Sequence, residues 1–377
     1  MAEHVALAPF EASSGPRTAR IAFVAEAWGE TEQTLRRPLV GNAGLEFASL
    51  LHESDIVTEL PPKYPGRELA SWWDRQDVFL TNLIAGRPTP SSNDFIALCG
   101  SKAEVGGKTY TLPPIHLGKY LRPEYLGELD RLAQELREVA PCVVVALGGK
   151  AAWALLRDAR ISKTRGATAP STLVPSLKVL PTYHPSYLFQ MWSDRPIVLA
   201  DLAKAKRESA FAEFRRPERT VIVNPSLQEI DAWVSETLAN RPPLLSCDIE
   251  TTGGQIESIG FARSRSEDLV VPFIVRSPIV RSYWNSVTEE CAAREQCQRL
   301  LASGIPLLGQ NFLYDMQYLL RENFKLANVA QDTMLRHHVL FPELEKGLGF
   351  LGSCYTNEPA WKLMRNRPKE EELKRDE

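Results

Sequence analysis

The sequence predicts an α/β protein of two domains, in which a mostly parallel three-layer α/β/α sheet is followed by a second, shorter α/β domain. The chain has 377 residues, which is enough to bury two hydrophobic cores. Short apolar runs alternate with stretches of helical periodicity, the pattern of parallel α/β sheets. A charged, proline-containing stretch at 215–219 interrupts this pattern. We therefore expect domains at residues 1–217 and 218–362, and a charged tail at 363–377.

The elements of each domain follow from its apolar runs and its periodicity. Apolar runs predict strands of the first domain at 21–24, 78–80, 142–147 and 177–180. Helical spacing predicts helices at 43–51, 125–139, 150–156 and 196–214. Residues 86–120 are rich in Pro, Gly, Ser and Thr, so we expect a long surface excursion there. In the second domain, a strand at 220–223 and a helix at 226–239 lead to an apolar run at 243–245.

The composition excludes several classes of protein. A hydrophobic content of 44% and a charged content of 24% are ordinary for a globular protein, and the net charge of −3 gives no basic cloud. No apolar run reaches about 18 residues, so we expect no membrane span. The chain does not open with a basic segment followed by an apolar one, so we expect no secretory signal. The six cysteines form no CxxC pair, which favours reduced thiols in a cytoplasmic compartment.

Three polar side chains follow strands of the first domain: a carboxylate, an amide and an imidazole. Glu26 follows the first strand, Asn82 follows the second, and His184 follows the last. In α/β sheets, ligands bind outside the carboxyl ends of the strands. We therefore expect these three side chains to converge on one crevice.

The segments that carry these side chains resemble the motifs of the uracil-DNA glycosylase superfamily, most nearly its family-four branch. That branch has Gly-Glu-x-Pro-Gly, then Arg-Pro-Phe-Val-Gly-x-x-Gly, then Thr-Asn, then Tyr-His-Pro-Ser. The matching segments here are 25–30 with 37–44, 81–88 and 182–186. The resemblance covers residues 18–212. It implies a glycosylase-like sheet, DNA as the partner, and excision of uracil or a damaged base.

The resemblance also implies a role for each polar side chain. Such an enzyme reads the pairing edge of a flipped base, and the Asn82 amide offers both a donor and an acceptor. An N–H of His184 would stabilise the negative charge that cleavage leaves on the base. Glu26 would position water or stabilise the positive sugar. The expected catalytic residues are therefore Glu26 and His184, and Asn82 is expected to bind the base.

Further base-binding residues are expected in the segment 37–44. Gly41 and Gly44 would let the backbone approach the flipped nucleotide closely. Leu39 stands where the family has the Phe that stacks on uracil. Because aromatic stacking on a base is worth about 1–3 kcal/mol, this substitution would weaken uracil capture.

The cysteines depart from the family pattern. Ala85-Gly86 occupies the usual Lys-Cys position, and the N-terminal cysteine pair of the family is missing. Cys99 alone cannot hold a cluster. We therefore expect no iron–sulfur cluster.

A second constellation, made of carboxylates, lies in the last third of the chain. Asp248 and Glu250 follow an apolar run, and alternation along a strand places both on one face. Asp315 follows another apolar run, at 305–310. Carboxylates gathered in this way suit Mg²⁺ or Mn²⁺ and two-metal phosphodiester hydrolysis. The expected metal ligands are Asp248, Glu250 and Asp315.

The segments 247–251 and 311–315 resemble the first two motifs of the DnaQ-like 3′–5′ exonucleases, closest to the proofreading domain of A-family DNA polymerases. The resemblance covers roughly residues 243–362 and implies a ribonuclease-H-like fold with Mg or Mn. The third motif of this branch is a Tyr followed four residues later by an Asp. It is missing, because Tyr355 is followed at that spacing by Pro359. The exonuclease fold and its metal site are therefore expected to be incomplete.

A glycosylase-like domain fused to an exonuclease-like domain resembles the front end of a phage-type A-family DNA polymerase. One hypothesis is an enzyme that acts on DNA by base excision, 3′ trimming or both. The alternative is a catalytically weak or silent DNA-binding module accessory to a polymerase, or a truncated N-terminal fragment of one. The expected partners are single-stranded or primer–template DNA and a polymerase subunit. The expected location is the cytoplasm of a bacterial or phage-infected host cell.

Overall fold

This computed structural model describes residues 6–88, 94–215, 218–276 and 279–358 of the chain. The expected tail at 363–377 lies outside the described residues, as do the last residues of the expected second domain. The chain divides into two compact units. The first unit holds the residues up to Phe214 together with the segment that begins at Gly349, and the second holds Arg215–Leu348.

The first unit is an alternation of strands and helices. Its strands are β1 (Ile21–Ala27), β2 (Phe79–Ile84), β3 (Cys99–Gly100), β4 (Tyr120–Leu121), β5 (Val143–Leu147), β6 (Ala169–Pro170) and β7 (Lys178–Thr182). Its helices up to Phe214 are α1 (Glu30–Leu35), α2 (Asn42–Glu53), α3 (Arg67–Trp73), α4 (Gly127–Val139), α5 (Gly149–Leu156), α6 (Ile161–Thr164) and α7 (Arg195–Glu208).

The main sheet of the first unit has the strand order β2-β1-β5-β7-β6. The strands β2, β1, β5 and β7 run parallel, and β6 is antiparallel to β7. Alternation along β1 sends Ala22 and Val24 into one core cluster and Phe23 and Ala25 into another. Side chains of α4 and α5 fill the first cluster, and side chains of α2, α3 and α7 fill the second. The parallel α/β sheet predicted for this domain is confirmed.

In the stretch predicted as a surface excursion, 86–120, several of the described residues are buried. Strands β3 and β4 pair there in antiparallel fashion, with Cys99 opposite Leu121. Phe95 and Ile115 join the core cluster that contains α4 and α5. The composition did not reveal this because single apolar residues among Pro and Gly produce no periodic pattern.

The second unit is also an α/β structure. Its strands are β8 (Thr220–Val223), β9 (Leu245–Thr252), β10 (Gln255–Ala262), β11 (Glu267–Pro272), β12 (Ile274–Val275), β13 (Arg281–Ser282), β14 (Leu307–Gly309) and β15 (Val329–Asp332). Its helices are α8 (Leu227–Asn240), α9 (Val287–Leu301), α10 (Phe312–Arg321) and α11 (Thr333–Leu340), and α12 (Leu348–Tyr355) begins at its last residue. None of the helices in the described parts of the chain is long and apolar enough to cross a membrane.

The main sheet of the second unit has the strand order β15-β14-β9-β10-β11-β8. The strands β9, β10 and β11 form an antiparallel meander, whereas β14 runs parallel to β9 and β15 parallel to β14. The edge strand β8 runs parallel to β11. Cys247 and Ile249 of β9 lie in the core cluster with Ala293 and Leu300 of α9. The strand that carries the acidic motif is therefore an interior strand with one buried face.

The segment that begins at Gly349 makes its contacts within the first unit, although the sequence pattern suggested that it continues the second domain. The ammonium group of Lys204 donates to the backbone carbonyls of Ser353 (2.5 Å) and Thr356 (2.6 Å). The Arg165 guanidinium donates to the hydroxyl of Ser353 at 2.9 Å. Local sequence patterns do not report such long-range contacts.

Candidate active site

A pocket of about 490 Å³ lies at the carboxyl ends of the parallel strands of the first unit. Five of the residues predicted to form the site line this pocket: Glu26, Leu39, Gly41, Asn82 and His184. Gly44 is not among the residues that line it. Glu26 and Asn82 were expected after their strands, but they lie within β1 and β2, near the ends of both, whereas His184 follows β7. They meet at one place because parallel strands end at the same edge of a sheet.

The carboxylate of Glu26 is in contact with a lysine that the sequence did not single out. Nζ of Lys150 lies 2.9 Å from Oε2 of Glu26, and the two side chains are 22% and 21% exposed. Gly148 lies beside this pair with φ of 90°. A Cβ there would lie 2.5 Å from Oε1 of Glu26 and 3.1 Å from Cβ of His184. A side chain at position 148 would therefore collide with the Glu26 carboxylate, and the positive φ also favours glycine there.

The imidazole of His184 is oriented by Ser186. The Ser186 N–H donates to Nδ1 of His184 at 3.2 Å, and the Ser186 hydroxyl lies 2.7 Å from the same nitrogen. A backbone N–H can only donate, so Nδ1 accepts and the proton of the neutral ring lies on Nε2. Burial lowers the pKa of His184, and the nearby charge of Glu26 opposes part of that shift. The ring is therefore neutral near pH 7 and offers an Nε2–H donor.

The amide of Asn82 is buried in the pocket wall with an unused acceptor. Asn82 lies on β2 opposite Ala25 of β1, and its side chain is 3% exposed. Its Oδ1 accepts no hydrogen bond from any residue that the structure describes. A buried polar atom without a partner costs about 1–3 kcal/mol. A ligand that donates to Oδ1 would remove that cost.

The backbone of Asn82 is held from behind by a buried ion triad. Nη2 of Arg131 donates to the carbonyl oxygen of Asn82 at 2.5 Å. The same guanidinium contacts the carboxylates of Glu128 (2.7 Å) and Glu135 (2.9 Å), and all three side chains are at most 2% exposed. β2 is an edge strand of its sheet, and no further strand of the described residues covers its outer side. Ser14 accepts and donates hydrogen bonds at Leu80, and Arg131 satisfies the carbonyl of Asn82.

The segment around Leu39 is shaped by the two glycines of the motif. Leu39 adopts φ of 51°, and its carbonyl accepts a hydrogen bond from Nε1 of Trp73 at 2.8 Å. A Cβ at Gly44 would lie 1.9 Å from that carbonyl oxygen, so Gly44 allows α2 to pack against Leu39 from behind. The N–H of Gly41 donates to Oε1 of Glu32 at 2.7 Å. Gly44 thus gives room to the Leu39 carbonyl, and the Gly41 N–H attaches the segment to Glu32.

The pocket is also lined by residues that the sequence did not predict. They are Asp94, Phe95, His116 and Lys150, among others. Lys150 follows the Gly148-Gly149 turn at the end of β5, so the strand-end rule could have included it. His116 lies in the stretch 86–120, where no pattern pointed to it. Burial lowers the pKa of His116, and the positive charge of Lys150 lowers it further.

The acidic motif of the second unit lies on β9 as alternation predicted. Asp248 and Glu250 are exposed on one face, and Cys247 and Ile249 are buried on the other. Asp315, in the first turn of α10, is 4% exposed. Its Oδ1 accepts from the backbone N–H of Ile249 at 2.9 Å.

Burial raises the pKa of Asp315 to about 6, and the charge of Asp248 contributes to the increase. Asp332 has a capping role, since its carboxylate accepts from the N–H groups of Phe312 and Met334, both at 2.8 Å. Within the described ranges, no group of three or more His, Cys, Asp or Glu side chains has an arrangement that could hold a metal ion. The predicted ligands Asp248, Glu250 and Asp315 therefore do not form a preassembled metal site.

The cysteines of the first unit do not fit the four-thiolate site of an iron–sulfur cluster. They are Cys99, Cys142 and Cys354. Cys99 is buried, and its thiol lies 3.5 Å from the carbonyl oxygen of Phe95. Burial raises the pKa of Cys99 to about 11, which disfavours the thiolate that would bind iron.

Comparison with known proteins identifies relatives of the first unit. The profile of the uracil DNA glycosylase superfamily matches residues 12–215, which is more than half of the chain. The type-4 uracil-DNA glycosylase of Thermotoga maritima is 31% identical over 193 residues. That match covers 50% of this chain and 76% of the relative. The profile match ends beside Phe214, where the first unit gives way to the second.

Proposed function

The chain belongs to the uracil DNA glycosylase superfamily, and from this premise we propose that its first unit excises uracil from DNA. The observation that carries the proposal is the convergence of Glu26, Asn82 and His184 on one pocket. The relative from Thermotoga maritima, a uracil-DNA glycosylase by name, supports the choice of base.

Asn82 reads the base in this proposal. A base must leave the stack before its pairing edge can be read, and a pocket of about 490 Å³ accommodates a flipped pyrimidine. The unpartnered Oδ1 of Asn82 accepts from the imide N–H of uracil, and its NH₂ donates to a carbonyl of the base. The Arg131 triad holds the strand backbone, so the amide is positioned before the base arrives.

His184 and Glu26 perform the bond cleavage. The neutral His184 ring, with its proton on Nε2, donates a hydrogen bond to the base carbonyl that gains negative charge. The Glu26 carboxylate positions a water molecule for attack on C1′ of the sugar and accepts its proton. Leu39 replaces the stacking Phe of the motif, so capture of the flipped base relies on Asn82 to a greater degree.

The test is glycosylase activity on a single-stranded oligonucleotide with one uracil. Wild type should produce alkali-labile sites, and His184→Ala should lose most of this activity. His338→Ala replaces an exposed histidine of the second unit and should behave as wild type. Absence of alkali-labile sites with the wild-type protein would overturn the proposal.

A second candidate function, 3′–5′ exonuclease activity, concerns the second unit. The sheet of the second unit supports this candidate. Its strands β9, β10 and β11 form an antiparallel meander, and the parallel strands β14 and β15 extend it beyond β9. This is the strand order expected of a ribonuclease-H-like fold. Asp248 and Glu250 project from the same face of β9. In this proposal they bind Mg²⁺ or Mn²⁺ together with Asp315 once nucleic acid is bound.

The exonuclease candidate is tested by shortening of a 5′-labelled primer with Mg²⁺ or Mn²⁺. Loss of shortening in Asp248→Ala would support nuclease activity. Equal shortening by both proteins would indicate a contaminant. No shortening, with retained binding of primer–template DNA, would favour the alternative in which the second unit is a silent DNA-binding module that serves a polymerase.

A further inference from the structure

Lys150 is the one lysine or arginine among the described residues that line the pocket of the first unit. Its Nζ lies 2.9 Å from Oε2 of Glu26 and 5.6 Å from the ring centre of Phe95, which lines the same pocket. We propose that Lys150 is a further catalytic residue, whose ammonium group stabilises the negative charge that develops on the departing base. This inference rests on the base excision proposed above.

The side chains that line the pocket and carry a charge near pH 7, apart from Lys150, are carboxylates. The carboxylates that line it are Glu26, Glu30, Glu32 and Asp94. The carboxylate of Glu32 accepts hydrogen bonds from the N–H groups of Val40 and Gly41, but it keeps its negative charge. A base that departs as an anion would be repelled by these surroundings. An ammonium group in the pocket wall offsets that repulsion.

The two histidines in the pocket do not supply this positive charge. Burial lowers the pKa of His184 and of His116, so both rings are neutral near pH 7. A neutral His184 donates a hydrogen bond but contributes no net charge. Lys150 lies in the first turn of α5. The partial positive charge of the helix N-terminus therefore adds to the positive charge of the ammonium group.

The bond changes define where the charge is needed. The N1–C1′ bond breaks with its electron pair remaining on the base, so the base carries one negative charge. The water oxygen forms a bond to C1′, and the proton that it loses passes to the Glu26 carboxylate. The base later takes a proton from solvent, and Glu26 releases its proton to solvent, which restores the carboxylate. Protonation of Glu26 weakens its attraction for Lys150 while charge grows on the base, so the ammonium group becomes available when it is needed.

The rival explanation is that Lys150 only orients Glu26. The two roles are separated by single-turnover excision of uracil and of 5-fluorouracil from otherwise identical single-stranded oligonucleotides. Fluorine stabilises the base anion, so 5-fluorouracil needs less help to depart. Removal of a preorganised charge-stabilising group typically costs about 10²–10³-fold in rate. Lys150→Met should therefore slow uracil excision by about 10²-fold and slow 5-fluorouracil excision clearly less.

Two further variants complete the test. Lys150→Arg retains the charge and should recover most of the rate with uracil. Lys163→Met removes an exposed lysine outside the pocket and should leave both rates unchanged. Equal slowing of both bases in Lys150→Met, or no slowing, would overturn the inference while base excision by wild type stands. Absence of excision by wild type with both bases would overturn the proposed function itself.

Discussion

The guanidinium group of Arg131 donates a hydrogen bond to the backbone carbonyl of Asn82, with 2.5 Å between Nη2 and the oxygen. Asn82 is the residue proposed to read the base, and Arg131 belongs to α4, which packs behind the strand that carries it. Glu128 and Glu135 flank the guanidinium, so its charge is compensated although it is almost completely buried. The base-reading residue is therefore fixed by an electrostatic network outside the pocket.

Removal of the Arg131 side chain should destabilise the fold strongly. Arg131→Met leaves two buried carboxylates without their cation, and breaking a buried ion pair in this way costs about 3–5 kcal/mol. Urea denaturation should show this loss in the free energy of unfolding. Arg137→Met, an exposed arginine on the same helix, should change it by less than about 0.5 kcal/mol. Similar values for the two variants would contradict the role of the triad.

Replacement of the Asn82 amide should reduce uracil excision without unfolding the protein. Asn82→Leu has a similar shape but lacks both the acceptor and the donor for the base. Loss of hydrogen bonds to the base should cost about 1–3 kcal/mol in kcat/KM, or about 5- to 150-fold. Asn240→Leu, in an exposed position of the second unit, is the control. An Asn82→Leu variant as active as wild type would show that another group reads the base.

Restoration of the stacking residue should strengthen capture of the base. In Leu39→Phe, a ring at the pocket wall can stack on the flipped base, which is worth about 1–3 kcal/mol. The measurement is the dissociation constant for an oligonucleotide with a non-cleavable 2′-fluoro-deoxyuridine. Leu39→Met, which is similar in size but not aromatic, should bind as wild type does. Weaker binding by the Phe variant would mean that the wall at Leu39 has no room for a ring.

The imidazole of His184 gives stability a pH dependence of defined sign. Its pKa in the folded chain is lowered from 6.5, so the unfolded chain binds a proton first as the pH falls. Stability contributed by the neutral ring is therefore complete above about pH 6.5 and is lost as the pH falls through the folded pKa. The urea midpoint of wild type should fall between about pH 7.5 and about pH 5, and that of His184→Gln should fall less. An identical fall of the urea midpoint in both proteins would exclude His184 as a source of this pH dependence.

The sequence was sufficient for the features that depend on strand order and strand ends. Glu26, Asn82 and His184 were predicted to converge because each was expected just after a parallel strand. The structure places Glu26 and Asn82 near the ends of β1 and β2 and His184 just after β7, and all three line one pocket. The alternation of Asp248 and Glu250 with buried residues followed from strand geometry alone. These predictions succeeded because they rest on local periodicity and on a general rule for α/β sheets.

The features that the sequence did not reveal depend on long-range contacts. The position of Lys150 beside Glu26 requires the pairing of β1 with β5. The burial of Phe95 and the contact of Ser353 with Lys204 join segments that are distant in the chain. Gly44 is a local exception: it was expected at the nucleotide, and in the structure it gives room to the carbonyl of Leu39, five residues earlier.

The most direct test of base excision is release of the free base under single-turnover conditions. Wild type, mixed with a single-stranded oligonucleotide that contains one uracil, should release uracil detectable by mass spectrometry and leave an abasic site. Glu26→Gln should slow this release by about 10²-fold or more, because general-base assistance is lost. Release of no base by wild type, or release at the same rate by Glu26→Gln, would contradict the assignment of this pocket as a glycosylase site.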